Sequence, residues 1–116
     1  MGIVVFDERN GSTYADAMRC VQAGGQALHV WMPPREGYPD APEVFKRAQR
    51  NGEPWAHLLD KDKERLVKTV RRYGVRVVAV YRAGTPTQHV DLCGDPLRRI
   101  LKEAQDGQLS LLDNPT

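Results

Sequence analysis

Val75-Arg76-Val77-Val78-Ala79-Val80-Tyr81 is the stretch on which the fold turns. Its β-branched centre, Val77-Val78-Ala79-Val80, reads as the best strand in the chain. Gly74 stands before it and stops a helix whose stripe is Leu66, Val67, Val70 and Tyr73. Asp60 is placed to cap that helix. After the strand, residues 82–94 read as a loop broken by Gly84 and Pro86. Asp95-Pro96 then starts a helix with Leu97, Ile100, Leu101 and Ala104 on its buried face, and Gly107 ends it.

The N-terminal half repeats the alternation. Ile3-Val4-Val5-Phe6 is a continuous apolar run, as in a strand covered on both faces. Thr13 and Asp16 fit a capping box, and Tyr14, Ala17, Met18 and Val21 share one helix face. Gly24-Gly25 stops that helix. Residues 26–32 read as a second strand, with Leu28, Val30 and Met32 on one side and Ala27, His29 and Trp31 on the other. Pro33-Pro34 ends it, and Asp40 is placed to cap a helix over residues 41–50. Strands alternating with helices predict a small three-layer α/β sandwich with a short, mostly parallel sheet of about three to four strands. The domain spans residues 1–107, followed by a tail over residues 108–116. Three strands are few, so a loop segment or a second copy of the chain in a homodimer is expected to complete the sheet.

Composition narrows the function classes. The 116 residues carry 17 Lys plus Arg against 15 Asp plus Glu, a net charge of +2. A histone-like DNA coat needs a far larger basic excess. No apolar run approaches the ~20 residues of a membrane helix, and no signal-peptide pattern opens the chain. The expectation is a cytoplasmic protein with no membrane partner. Cys20 and Cys93 stand outside any Cys-x-x-Cys or Cys/His ladder, which predicts two reduced thiols. The chain has no Walker or Rossmann glycine loop and no Gly-x-Ser-x-Gly elbow.

Open parallel sheets bind ligands beyond the carboxyl ends of their strands. That rule gathers Asp7, Arg9, Arg35, Arg82, and the segments around Trp55-Ala56-His57-Leu58 and His89-Val90-Asp91 at one rim. His29 falls inside a strand and reads as a satisfied face residue. His89 and Asp91 share a face of an extended segment. The arginines, with Arg98, suit an anionic ligand, and Trp55 is expected beside them among the substrate-binding residues.

These segments resemble the small bacterial and phage family catalogued as domain of unknown function 4031. The likeness lies in Val4-Val5-Phe6-Asp7-Glu8, Trp55-Ala56-His57-Leu58, Gly74-Val75, and His89-Val90-Asp91-Leu92 followed by Arg98 and Arg99. It covers Trp55 to Ala104 well and the first strand loosely. Residues 11–52 look longer than in the usual member, and Val90 stands where a tyrosine is usual. The resemblance brings no settled activity. It implies that His57, His89, Asp91 and Asp7 belong together.

Two histidines and one or two carboxylates can hold a divalent metal that activates water, with His57, His89 and Asp91 as ligands. They can equally act as general acid and base, with Asp91 orienting a ring. The tail Gln108-Leu109-Ser110-Leu111-Leu112 resembles the bacterial sliding-clamp-binding motif, with Leu in place of its final Phe. A glutamine in a polar pocket, with Leu109, Leu111 and Leu112 in an apolar groove, is a sound docking peptide. Tethering would supply the local concentration that a charge of +2 cannot.

The first functional reading is a small DNA- or nucleotide-processing enzyme, a phosphate-ester or glycosidic hydrolase or transferase tethered to the replication clamp. The alternative is a non-catalytic nucleotide-binding or replication-protein-binding module of phage or mobile-element origin. A third is a metabolite enzyme whose tail is structural.

Overall fold

Four segments pair into one sheet in the computed structural model, which describes residues 2–107. They are β1 (Ile3–Asp7), β2 (Gln26–Trp31), β3 (Trp55–Leu59) and β4 (His89–Leu92), and they lie in that order across the sheet. Four helices accompany them: α1 (Tyr14–Gln22), α2 (Glu43–Arg50), α3 (Lys63–Arg72) and α4 (Gly94–Gln105). The chain is thus an α/β protein. The tail residues Gln108, Leu109, Leu111 and Leu112 lie outside the described residues. No helix among the described residues is long and apolar enough to cross a membrane.

The pairing departs from the parallel pattern that the alternation predicts. Only β1 and β2, joined through α1, run parallel; β2–β3 and β3–β4 are antiparallel. The cause lies in residues 75–81. They make no ladder, and only Tyr81 bridges His89, on the side of β4 away from β3. Val75, Val78 and Val80 still pack against the main core, whereas Val77 is 90% exposed. The valines supply apolar contact without backbone pairing, which is what β-propensity largely measures. The chain then turns through residues 82–88 and returns as β4, inserted between β3 and the valine stretch. Residues 89–92, read from sequence as part of a loop, and residues 55–59, assigned no element there, are therefore strands, and they complete the sheet from within the chain.

Strand parity sorts the side chains into two layers. Leu28, Val30, Ala56, Leu58, Val90 and Leu92 face α3 and α4, where they meet Leu66, Val70, Leu97 and Ile100 in the main core. On the opposite face, Ala27 and Leu59 pack under Ala17 and Val21 of α1. Farther along that face, Trp31 and Trp55 pack with Phe45 and Ala48 of α2. The side chains between these two smaller clusters form the site.

The helix starts show which polar residue does what. Thr13 and Asp16 form the expected capping box of α1. Asp62, not Asp60, caps α3 by accepting from the Arg65 amide at 3.0 Å. Asp60 is fully buried instead. It accepts from Arg65 Nε at 2.6 Å, Arg65 Nη2 at 2.7 Å, Gln26 Nε2 at 2.9 Å and the Asp62 amide at 2.9 Å. Asp40 does not cap α2, which follows Pro42.

Candidate functional site

Across the second sheet face, the register sets Phe6 opposite His29, His29 opposite His57, and His57 opposite Asp91. His89 lies two residues before Asp91 on the same face. This places the chemistry in the middle of a sheet face rather than beyond the strand ends. With two of three pairs antiparallel, the strand ends do not collect at one rim.

Asp91 is the hub. Its Oδ1 accepts from His57 Nδ1 at 2.6 Å and lies 3.3 Å from His89 Nε2. The two imidazole centroids are 4.3 Å apart. His89 Nδ1 donates to the Thr87 carbonyl at 2.9 Å. That bond fixes the ring and leaves Nε2 as the free lone pair when the ring is neutral. Gln88 holds the loop before β4 in place, because its buried amide donates to the carbonyls of Asp60 at 2.8 Å and Lys61 at 2.9 Å. Arg82 has a left-handed backbone, φ 56°, in the turn that makes this return.

The electrostatics follow from that packing. Burial works against the charge on Asp91, but hydrogen bonds from His57 and His89 and their charge outweigh it, holding the carboxyl far below its usual range. Burial also works against the His89 imidazolium. The Asp91 carboxylate and the Thr87 carbonyl overcome it and raise the pKa, with Arg82 pulling the other way. One candidate ligand atom from each of His57, His89 and Asp91 lies within 4.8 Å of the others. Two imidazoles and a carboxylate at that spacing are a donor set that could hold a divalent metal.

No family model, curated protein or solved structure matches this chain. The site therefore rests on its own geometry.

The structure brings together His57, His89 and Asp91 of the residues expected at the rim, with Trp55 beside them. Asp7 is apart: parity turns it to the α3/α4 face, where it is buried and chelates Arg9 at 2.7 Å. Arg98 pairs with Glu53 and Asp95 on the surface. Arg35 lines a separate surface hollow with Lys46 and Arg50. Arg82 is the one arginine of that set that acts on the centre.

Several residues at the site have no site role in the sequence reading, among them His29, expected to be a satisfied face residue but with one ring nitrogen unpartnered among the described residues. His29 is buried on the site face, with its Nε2 2.5 Å from Glu8 Oε2 and its Nδ1 without a hydrogen-bond partner. Its ring stacks on Trp31 at 5.3 Å and lies 6.0 Å from His57. A cavity of about 370 Å³ opens beside His57 and Asp91, walled by Trp31, Tyr38, Trp55 and Tyr81, with Asp40 among its lining residues. The alternation Trp55, His57, Leu59 was the signal that could have placed His57 across from His29.

Proposed function

We propose that His57, His89 and Asp91 form the centre of a small hydrolase or transferase acting on a phosphate-ester or glycosidic bond of a nucleotide or nucleic acid. One observation carries the reading: three titratable side chains from two strands converge beside an aromatic cavity that opens onto them. A divalent metal held by these three would supply a Lewis acid and a bound water of lowered pKa. The chain's own part is to present the donors. Asp91 stays ionised, Thr87 fixes the His89 tautomer, and Asp91 orients His57 with Nε2 as the exposed base.

The resemblance to domain of unknown function 4031 supports keeping His57, His89 and Asp91 together, though not Asp7, which lies on the opposite face. The likeness of residues 108–112 to a clamp-binding peptide supports a place in DNA transactions within the cytoplasm. A non-catalytic nucleotide-binding module is the second reading. What favours it over catalysis is that Arg9 and Arg98 are tied to carboxylates of their own chain and, among the described residues, no lysine or arginine lines the cavity at Asp91 to stabilise developing charge.

The test uses the full chain. Its metal content is measured, and turnover of nucleotides and single-stranded oligonucleotides is compared with that of Asp91→Asn and His57→Ala. The hydrolase reading expects both variants to lose at least about 100-fold. Undiminished turnover in either would overturn it. A peptide of residues 107–116 is titrated onto a bacterial sliding clamp in parallel. Saturable binding, lost in a Gln108→Ala, Leu111→Ala peptide, supports the tether, and no binding removes it.

A further inference from the structure

The cavity beside the histidines has an unusual lining for a nucleotide site. Among the described residues, no lysine or arginine lines it, and the charged groups that do are the carboxylates of Asp40 and Asp91. A phosphate placed there would face anions. The part of a nucleotide that suits such a cavity is its base.

The walls are aromatic and incompletely covered. Tyr38 lies 5.6 Å from Trp55 and Tyr81 stacks on His89 at 5.7 Å, yet they remain 50% and 46% exposed, so both rings keep aromatic surface for a planar ligand. Trp55 has its own polar need met, since its indole N–H donates to the Phe45 carbonyl at 2.8 Å. It therefore contributes a ring rather than a donor. Trp31 lies 4.4 Å from the His57 ring, centroid to centroid, which joins the aromatic wall to the catalytic candidates. Asp40 has no hydrogen-bond or ion-pair partner among the described residues.

A carboxylate is an acceptor only. The base edge it pairs with best presents two adjacent N–H donors. Guanine does so with N1–H and its 2-amino group. Adenine and cytosine set a ring-nitrogen acceptor beside their amino group, which would oppose a carboxylate oxygen. Uracil and thymine flank a single N–H with two carbonyls.

We propose that this cavity is a binding slot for an unpaired guanine, with the base stacked on the aromatic walls and its N1–H and 2-amino donors on the Asp40 carboxylate. The inference rests on the reading of the site as one that processes nucleotides. It adds the substrate class. The donors used are on the base-pairing edge, so a duplex guanine is excluded and a free nucleotide or a single strand is required.

Both tryptophans of the chain line the cavity, so intrinsic fluorescence reports its occupancy. The full protein is titrated with guanosine, inosine and cytidine. Guanosine is expected to quench saturably and to bind at least about fivefold more tightly than inosine, which lacks only the amino group. Asp40→Asn, a change at an exposed position, should leave the thermal midpoint in place and shrink the guanosine advantage to less than about twofold. Equal affinity for guanosine and inosine, or no saturable quenching by any nucleoside, overturns the proposal. A single-stranded oligonucleotide with one guanine that binds more tightly than guanosine marks nucleic acid as the source; equal binding marks the free nucleotide. A duplex that binds as well as the single strand overturns the slot. Guanosine binding without turnover would remove only the hydrolase reading, and turnover without base preference would remove only this one.

Discussion

Asp91→Asn is the perturbation that interrogates the centre most directly. The substitution keeps the shape and one acceptor, so His57 Nδ1–H retains a partner at the 2.6 Å position. It removes the charge that His89 faces at 3.3 Å. In the native protein His89 titrates above its usual 6.5, because Asp91 and the Thr87 carbonyl outweigh a burial effect that acts downward. Without the carboxylate, burial is opposed by the Thr87 carbonyl alone. The His89 midpoint should therefore fall from above the usual value towards or below it. Hydrogen bonds to charged groups contribute about 1.5–3 kcal/mol each when buried. Asp91 is about a third exposed, so solvent screens part of that. The expected loss of stability near neutral pH is about 1–2 kcal/mol. The chain has three histidines, so a proton NMR titration of chelator-treated protein resolves each ring. Urea unfolding of the same samples reads the stability change. A His89 midpoint that does not move, together with an unchanged urea midpoint, would show that Asp91 and His89 are not coupled, and the centre would fall with it.

Other tests reach the frame around the site. Asp60→Ala removes the buried acceptor of Arg65 and Gln26, whose remaining side-chain partners among the described residues are Gly24 and Thr69. With Arg65 38% exposed, it should cost about 2–3 kcal/mol, read from the denaturant midpoint, whereas a loss below about 1 kcal/mol would contradict the network. The centre's contribution to stability should vary with pH. The raised pKa of His89 gives stability that is full below 6.5 and lost as pH rises through the folded value, while the lowered pKa of Asp91 gives stability that is full above 3.8 and lost in acid. The stability gap between the native chain and an Asp91→Asn, His89→Ala double variant should thus be widest between those two values and narrow on either side. Burial raises the Cys93 thiol to about 11, so iodoacetamide should alkylate it at least about tenfold more slowly in the folded protein than in urea, as followed by mass spectrometry.

What the sequence made legible was local chemistry. The capping box at Thr13 and Asp16, the glycine stop after α1 and the amphipathic stripes of α3 and α4 all depend on neighbours within a turn or two. The same holds for the pairing of faces in β2, where Leu28 and Val30 do oppose His29 and Trp31. Residues 75–81 misled because apolar β-branched runs signal burial, and burial against α3 and α4 was available without a ladder. β4 was hidden for the opposite reason. Its segment His89-Val90-Asp91-Leu92 spends half its side chains on polar groups, as a strand with one functional face must.

The same parity explains why the three residues were found together and their setting was not. His57, His89 and Asp91 are distant in sequence but alternate with core residues that are fully or nearly fully buried, Ala56 and Leu58 on β3 and Val90 and Leu92 on β4. Packing of those apolar partners under α3 and α4 leaves the polar set only the opposite face. There the covering helices are short. α1 has nine residues and reaches Ala27 and Leu59; α2 has eight and reaches Trp31 and Trp55. Neither cluster includes His57 or Asp91, whose side chains are 27% and 32% exposed. A continuous helix there would have buried an ionised carboxylate between two imidazoles at a cost of several kcal/mol. The gap in the helix layer lets solvent share that cost, and the same gap opens the aromatic cavity beside the centre. Filling it tests the link. Ala56 is fully buried and borders the cavity, so Ala56→Leu would overpack the core. Ala41→Leu, on the cavity's own lining, should instead reduce guanosine quenching while leaving the raised His89 midpoint intact in the histidine titration. Loss of both together would mean that cavity and centre are one packed unit, and the division between a base slot and a catalytic centre would not stand.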